Sequence, residues 1–235
     1  MPQGRQLPPG WCPSGRRGEE RRPASLLPPV KDYYDARAPE YDEWYLGQGK
    51  FAGVKRPDWD RDVRELELTL AGLSPARTLD VACGTGFLTQ HLPGEVTLFD
   101  HSPRMLAIAS RRLPQASALR GDALGLPFGR DAFERVFTAH FYGHLEDDER
   151  RRFLAEARRI APELVVVDAA VRSDHGRAEW QERVLNDGAC FEVYKRFFGA
   201  DELVEELGGG TVLLENSWFI AVASRRKVGR EFTLG

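Results

Sequence analysis

A chain of 235 residues is long enough for one sizeable α/β domain with a short extension and too short for two full domains. Hydrophobic residues make up 42% and charged residues 29%, the balance of a globular protein with a real core, and a formal net charge of −3 gives no electrostatic reason to expect a nucleic-acid partner. The one cluster of arginines, Arg16, Arg17, Arg21 and Arg22, is broken by Glu19 and Glu20.

Residues 1–30 are rich in Pro, Gly and Arg and bury too little apolar surface to offset their ordering entropy, so a disordered tail is expected there. No apolar run is long enough to span a bilayer, and no apolar stretch near the start reads as a secretory signal. Cys12, Cys83 and Cys190 are scattered, which suits a reducing compartment and excludes the paired spacing of a zinc or redox motif. A cytoplasmic protein is expected.

A helical cap is predicted over residues 31–75. Tyr33, Tyr34, Tyr41, Trp44 and Tyr45 crowd its first segment, which Pro39 interrupts. A second helix over 58–71 places Val63, Leu66 and Leu70 on one face before Gly72 and Pro75 end it. Residues 76–224 alternate short apolar runs, predicted as strands at 78–82, 96–99, 118–120, 133–138 and 164–168, with helices at 87–92, 103–112 and 147–160. The last of these begins with Asp147, Asp148 and Glu149 and ends with Arg158 and Arg159, the order that complements the helix dipole. Such alternation predicts a doubly wound α/β fold on a mostly parallel sheet. A helix at 200–207 and strands at 211–214 and 218–223 follow, and the short gap between those strands can only join antiparallel neighbours. Residues 225–235 are left as a C-terminal tail.

The most informative stretch runs from Thr78 to Thr89, where a strand enters a glycine turn. Gly84 and Gly86 let backbone pass close to a ligand where a β-carbon would collide. A nicotinamide-dinucleotide loop would need a third glycine at Thr89, and its pyrophosphate would meet the carboxylate of Asp80. A cofactor carrying an ammonium and a sulfonium has the opposite requirement. Asp100, 20 residues beyond Asp80, can accept both hydroxyls of a ribose in either class of cofactor. Met105 on the next helix can face an adenine edge or simply join the core. After the third strand, Asp122 can accept from an exocyclic adenine amine, and Ala123 offers a backbone N–H to a ring nitrogen.

The ordered set Asp80-x-x-x-Gly84-Thr85-Gly86, Asp100, Gly121-Asp122-Ala123 and Leu126-Pro127-Phe128 resembles the class I S-adenosylmethionine-dependent methyltransferases. It is most similar to the small-molecule "methyltransferase type 11" branch that includes quinone-biosynthesis C-methyltransferases. The resemblance covers roughly residues 33–224. It implies a Rossmann-like seven-stranded sheet with a C-terminal antiparallel hairpin and S-adenosylmethionine as cofactor. By the same resemblance Asp80, Gly84 and Gly86 would surround the methionine part, Asp100 the ribose, and Asp122 and Ala123 the adenine. A tyrosine of the N-terminal helices, Tyr33 or Tyr41, would reach the methionine carboxylate, although plain packing against the sheet also accounts for these rings. Ala82, His101, Met105 and His140 complete the expected cofactor contacts. Ala82 departs from the glycine common in the family, at little cost if it remains extended.

The fourth strand leads into His140 and His144, either of which can serve as a general base or be structural. Residues 171–199 are expected to form an acceptor lid. Arg183, Lys195 and Arg196 there would favour an anionic or oxygen-rich acceptor, or else form a solvated face or a dimer contact. The function expected is methyl transfer to an O, N or C atom of a small-molecule acceptor, by a monomer or homodimer, without a metal because no clustered carboxylates mark one. A nicotinamide-dependent oxidoreductase and a non-catalytic nucleoside-cofactor-binding protein are the alternatives.

Overall fold

The computed structural model describes residues 30–226. The tails expected over residues 1–30 and 225–235 lie outside the described residues, apart from Val30, Arg225 and Arg226. The N-terminal segment folds as α1 (Val30–Arg37), a 3-10 turn at Ala38–Glu40 and α2 (Glu43–Leu46). The break falls at Pro39, which has no N–H to carry the helical ladder onward. In α3 (Trp59–Ala71) the buried residues include Val63, Leu66 and Leu70, the predicted apolar face.

The remaining elements are β1 (Thr78–Val81), β2 (Val96–Asp100), α4 (Pro103–Arg112), β3 (Ser117–Arg120), β4 (Arg135–Ala139), α5 (Asp147–Ile160) and β5 (Glu163–Ala169). They are followed by β6 (Ala178–Val184), β7 (Cys190–Arg196), α6 (Ala200–Glu206), β8 (Thr211–Glu215) and β9 (Phe219–Arg225). Seven strands form one sheet in the order β3-β2-β1-β4-β5-β9-β8. β1 to β5 are parallel, and β9 runs antiparallel to both its neighbours, so it alone opposes the direction of the other six. The chain winds outward from β1 to β3 and then crosses to β4. The crevice this reversal leaves at the carboxyl ends of β1 and β4 is where open α/β sheets take their ligands.

One expectation needs correction. The helix predicted over 87–92 is only a 3-10 turn at Thr89–His91. Gly94 leaves no space beside Ala76, where a β-carbon would lie 2.4 Å from the backbone oxygen, so the chain must turn into β2 before a helix can develop. The segment expected as a lid over residues 171–199 contains a regular hairpin, β6 paired with β7, outside the main sheet. Phe191, Val193 and Leu185 of the hairpin pack on Tyr33 of α1. Its turn is held by Asn186 N donating to Glu40 Oε2 at 2.7 Å and by Lys50 Nζ donating to the Val184 carbonyl at 2.6 Å.

Candidate cofactor and acceptor site

Beyond β1 the chain bends sharply. Ala82 is not extended as expected: it stands at φ 59°, in the left-handed region that costs an L-residue roughly 1–2 kcal/mol. The next two amides show why. Cys83 N donates to the Phe99 carbonyl at 3.1 Å and Gly84 N to Asp100 Oδ2 at 2.9 Å, so the turn is drawn against the end of β2.

The two glycines of the turn do different work. A β-carbon on Gly84 would meet only the Tyr41 ring, at 3.7 Å, because the space beyond is open. One on Gly86 would press on Ala109 and Leu113 at 3.4 Å, so Gly86 allows close packing against α4.

Asp80 is buried, with Oδ2 accepting the Thr89 hydroxyl and Oδ1 without a hydrogen-bond partner. Burial pushes its carboxyl up to about 8, the Thr89 bond opposing the rise and the Asp100 charge adding to it. Thr89, which stands where a dinucleotide loop would carry its third glycine, is thus the partner of this carboxylate. Asp100 is buried too, and burial raises its carboxyl although Ser102 N donates to Oδ1 at 2.8 Å and Gly84 N to Oδ2. Neither aspartate pairs with a lysine or arginine, and the nearest basic ring nitrogen to Asp100 is His101 Nδ1 at 3.7 Å. Two buried carboxylates without a full cation form a pocket for positive charge.

A cavity of about 390 Å³ opens over the ends of β1, β2 and β4. Of the residues singled out from the sequence, its wall brings together Tyr41, Ala82, Gly84, Asp100, His101 and Met105, with Asp122, Ala123, His140 and His144. Asp80 lies outside this wall and lines a small adjoining cleft with Tyr41, Tyr45 and Ala82. Tyr33 is also off the wall, buried beneath the hairpin with its hydroxyl accepting from Arg37. Its neighbour Tyr34 takes the wall position instead. Adjacent helical residues point about 100° apart, and nothing in the local sequence said which tyrosine would face inward. The hairpin adds Trp180, Val193 and Tyr194, and the start of α5 adds Glu149, which read from the sequence only as a helix-start acid, and Glu146, which was not singled out.

His140 also has a left-handed backbone, φ 54°. Its ring is buried edge-on to Trp44 and Phe219, with Nδ1 4.0 Å from Asp168 and Nε2 unpartnered. Burial drives it down to about 4, helped by Lys195 and opposed by Asp168. His144 holds its Nδ1 2.6 Å from the Tyr194 carbonyl. A carbonyl only accepts, so Nδ1 carries the proton and Nε2 keeps its lone pair. Burial, with Lys195 close by, holds His144 well below its ordinary value, so both rings are neutral near pH 7.

Asp168 closes β5 as a buried carboxylate that the sequence reading did not use. It pairs with Lys195 of β7 and accepts Gly143 N and Ala169 N, each at 2.7 Å. Burial works against its charge, yet Lys195 and His140 outweigh it and keep the carboxyl below its usual range. Gly143 has no room for a side chain: a β-carbon would lie 2.5 Å from the Arg196 carbonyl and 3.0 Å from both members of the pair. Among the described residues, no group of three His, Cys, Asp or Glu could hold a metal ion, and no helix is long and apolar enough to cross a membrane.

The sequence profile of the methyltransferase domain matches residues 78–162, which span β1 to the end of α5. The solved structure of DhpI in complex with SAH is 30% identical, superposes with a TM-score of 0.65, and is matched over 83% of this chain and 94% of that one. The chain belongs to the class I S-adenosylmethionine-dependent methyltransferases. Among curated relatives, the methyltransferase is 36% identical over 107 residues to the demethylmenaquinone methyltransferase of Thermotoga maritima, covering 43% of this chain and 44% of that protein. It is 36% identical over 149 residues to the dTDP-3-amino-3,6-dideoxy-α-D-glucopyranose N,N-dimethyltransferase of Streptomyces fradiae, covering 59% and 54%. The match thus spans about half the length of these curated relatives.

Proposed function

We propose that the protein transfers a methyl group from S-adenosylmethionine to a small-molecule acceptor. The observation that carries this reading is the pair of buried carboxylates beside the Gly84 turn, Asp80 with an oxygen left unpartnered. When bound, S-adenosylmethionine supplies a methyl carbon on a sulfonium, open to in-line displacement with the departing electron pair left on sulfur. Asp80 is assigned the cofactor's ammonium and Asp100 the ribose hydroxyls, since the Asp100 oxygens have lone-pair capacity beyond the backbone N–H groups they accept. Gly84 leaves the approach open, and Asp122, Ala123 and Met105 are assigned the adenine end. Tyr34, Tyr41 and the hairpin wall exclude water, so that positioning the two reactants supplies most of the rate, roughly 7–11 kcal/mol in favourable systems.

Calorimetric titration with S-adenosylhomocysteine and with NADH tests the reading. Saturable binding of the first and no heat from the second is expected; the reverse pattern would end it.

His144 is assigned the base for an acceptor that carries a proton, taking it on Nε2 while the Tyr194 carbonyl holds the other nitrogen. Because this ring stays neutral well below its usual range, kcat at saturating S-adenosylmethionine should be flat between about pH 6 and 8, without the limb near 6.5 of an unperturbed histidine. His144→Gln should lower kcat about 10²- to 10⁴-fold with unchanged S-adenosylhomocysteine affinity. Full activity in that variant would leave the ring a structural role only.

A further inference from the structure

The candidate base sits on a short turn. Tyr142–His144 form a 3-10 turn between β4 and α5, and each of its residues is tied to a different element. The Tyr142 hydroxyl donates to Glu206 Oε1 of α6 at 2.7 Å, Gly143 N to Asp168 Oδ2 of β5 at 2.7 Å, and His144 Nδ1 to the Tyr194 carbonyl of β7 at 2.6 Å. The last two ties meet again through Lys195, the residue after Tyr194, whose ammonium pairs with Asp168 Oδ1. Asp168, Gly143, His144, Tyr194 and Lys195 therefore close a ring of two peptide bonds and three polar contacts.

This ring has little slack. Gly143 lies so close to the Arg196 carbonyl and to both members of the ion pair that even a β-carbon would not fit. Alternation along β7 sends the side chains of Tyr194 and Lys195 to opposite faces, so one step of the strand supplies both the carbonyl that receives His144 and the ammonium that anchors it. Other contacts hold the hairpin elsewhere: Asn186 and Lys50 tie its turn to the cap, and a bridge between Ala170 and Phe198 joins its end to the chain beyond β5. Neither involves the turn that carries His144. A buried ion pair returns little net stability compared with apolar residues of the same volume, because both charges lose their hydration, but it tolerates only a narrow geometry. An apolar pair could slide here; Lys195 cannot slide without stranding Asp168.

We propose that Lys195 and Asp168 are positioning residues for His144: their pairing sets the register of β7 against the Tyr142–His144 turn and so fixes the tautomer and orientation of the ring. The proposal rests on the assignment of His144 as base. A neutral imidazole without partners exchanges between its two tautomers, and only the one protonated on Nδ1 keeps a lone pair on Nε2. The Tyr194 carbonyl selects that tautomer, and the ion pair keeps carbonyl and turn in step.

The test reads the ring itself. Nitrogen-resolved NMR of the full chain, labelled at histidine and saturated with S-adenosylhomocysteine, is recorded at about pH 8, where an ordinary histidine is neutral too. Comparison with His144→Gln assigns the signals. Wild type should show His144 protonated on Nδ1. In Lys195→Met/Asp168→Asn the signals should move toward the average of an exchanging ring, the preference for Nδ1 falling about tenfold, as expected for the loss of one hydrogen bond, with S-adenosylhomocysteine affinity unchanged. Asp168→Asn alone keeps an acceptor for Gly143 N, should loosen the ring in the same direction, and serves if the double variant does not fold. A mixed tautomer in wild type, or a variant that binds S-adenosylhomocysteine and keeps the full preference for Nδ1, overturns the proposal alone, since the Tyr194 carbonyl would then hold the ring unaided. Full activity in His144→Gln removes the base, and this proposal with it, whatever the tautomer.

Discussion

Asp80→Asn is expected to raise the melting temperature of the cofactor-free protein at pH 8 and, in the same variant, to weaken S-adenosylhomocysteine binding about 10- to 100-fold. Asp80 is buried with one oxygen unpartnered, and its carboxyl is pushed up to about 8. The sign follows from proton counting. Between its ordinary range near 4 and about 8 the folded state holds a proton that the unfolded chain has released, so stability falls as pH rises through that window. Asparagine removes the ionisation and with it the penalty. Each kcal/mol recovered is worth roughly 2–4 °C in a domain of this size. The difference between variant and wild type should be small at pH 5, where Asp80 is neutral, and several degrees at pH 8. The loss of affinity has the opposite origin: an ammonium bound to a buried carboxylate is a charge-assisted contact of about 1.5–3 kcal/mol. Thermal melts at the two pH values and one titration suffice. Equal melting differences at both pH values, or an unchanged affinity, would remove Asp80 from this role.

Lys195→Met is expected to cost about 3–5 kcal/mol of stability, the usual result of stripping one partner from a buried ion pair. Asp168 would keep its bonds from Gly143 N and Ala169 N but lose the one full positive charge paired with it, in a position closed to solvent. The double variant Lys195→Met/Asp168→Asn should recover a good part of the loss, because the amide oxygen can still accept while the orphaned charge is gone. Urea denaturation of the three proteins measures this. A single variant within 1 kcal/mol of wild type would mean that the backbone donors suffice and that the hairpin is held by its apolar contacts alone.

Much of the architecture was legible because it is written locally. The apolar runs that became β1, β4 and β5 sit between amphipathic helices whose ends carry their own signals. α4 starts at Pro103 with Ser102 capping Met105 N, and α5 starts on acidic residues and stops before Pro162. The acidic pocket was legible for the same reason, since the bend and Asp80 lie within a few residues of each other. What escaped depends on distant partners. Lys195 occupies the inward position of β7 that follows buried Phe191 and Val193, and a lysine there hides the strand alternation unless Asp168, 27 residues away, is known to receive it. Arg37 was not singled out from the sequence: it lies over the rings of Tyr33 and Tyr41, where β7 packs on α1. The strained backbone at Ala82 and His140 had no sequence signature, because neither residue favours that conformation.

The crowding at Gly143 carries a corollary for how such chains diverge. With the Arg196 carbonyl, the Asp168 carboxylate and the Lys195 ammonium converging on the place a methyl group would need, this position is closed to drift. The nearest of the three is backbone, 2.5 Å away, so descendants that have exchanged Lys195 and Asp168 for other residues should still inherit glycine at 143.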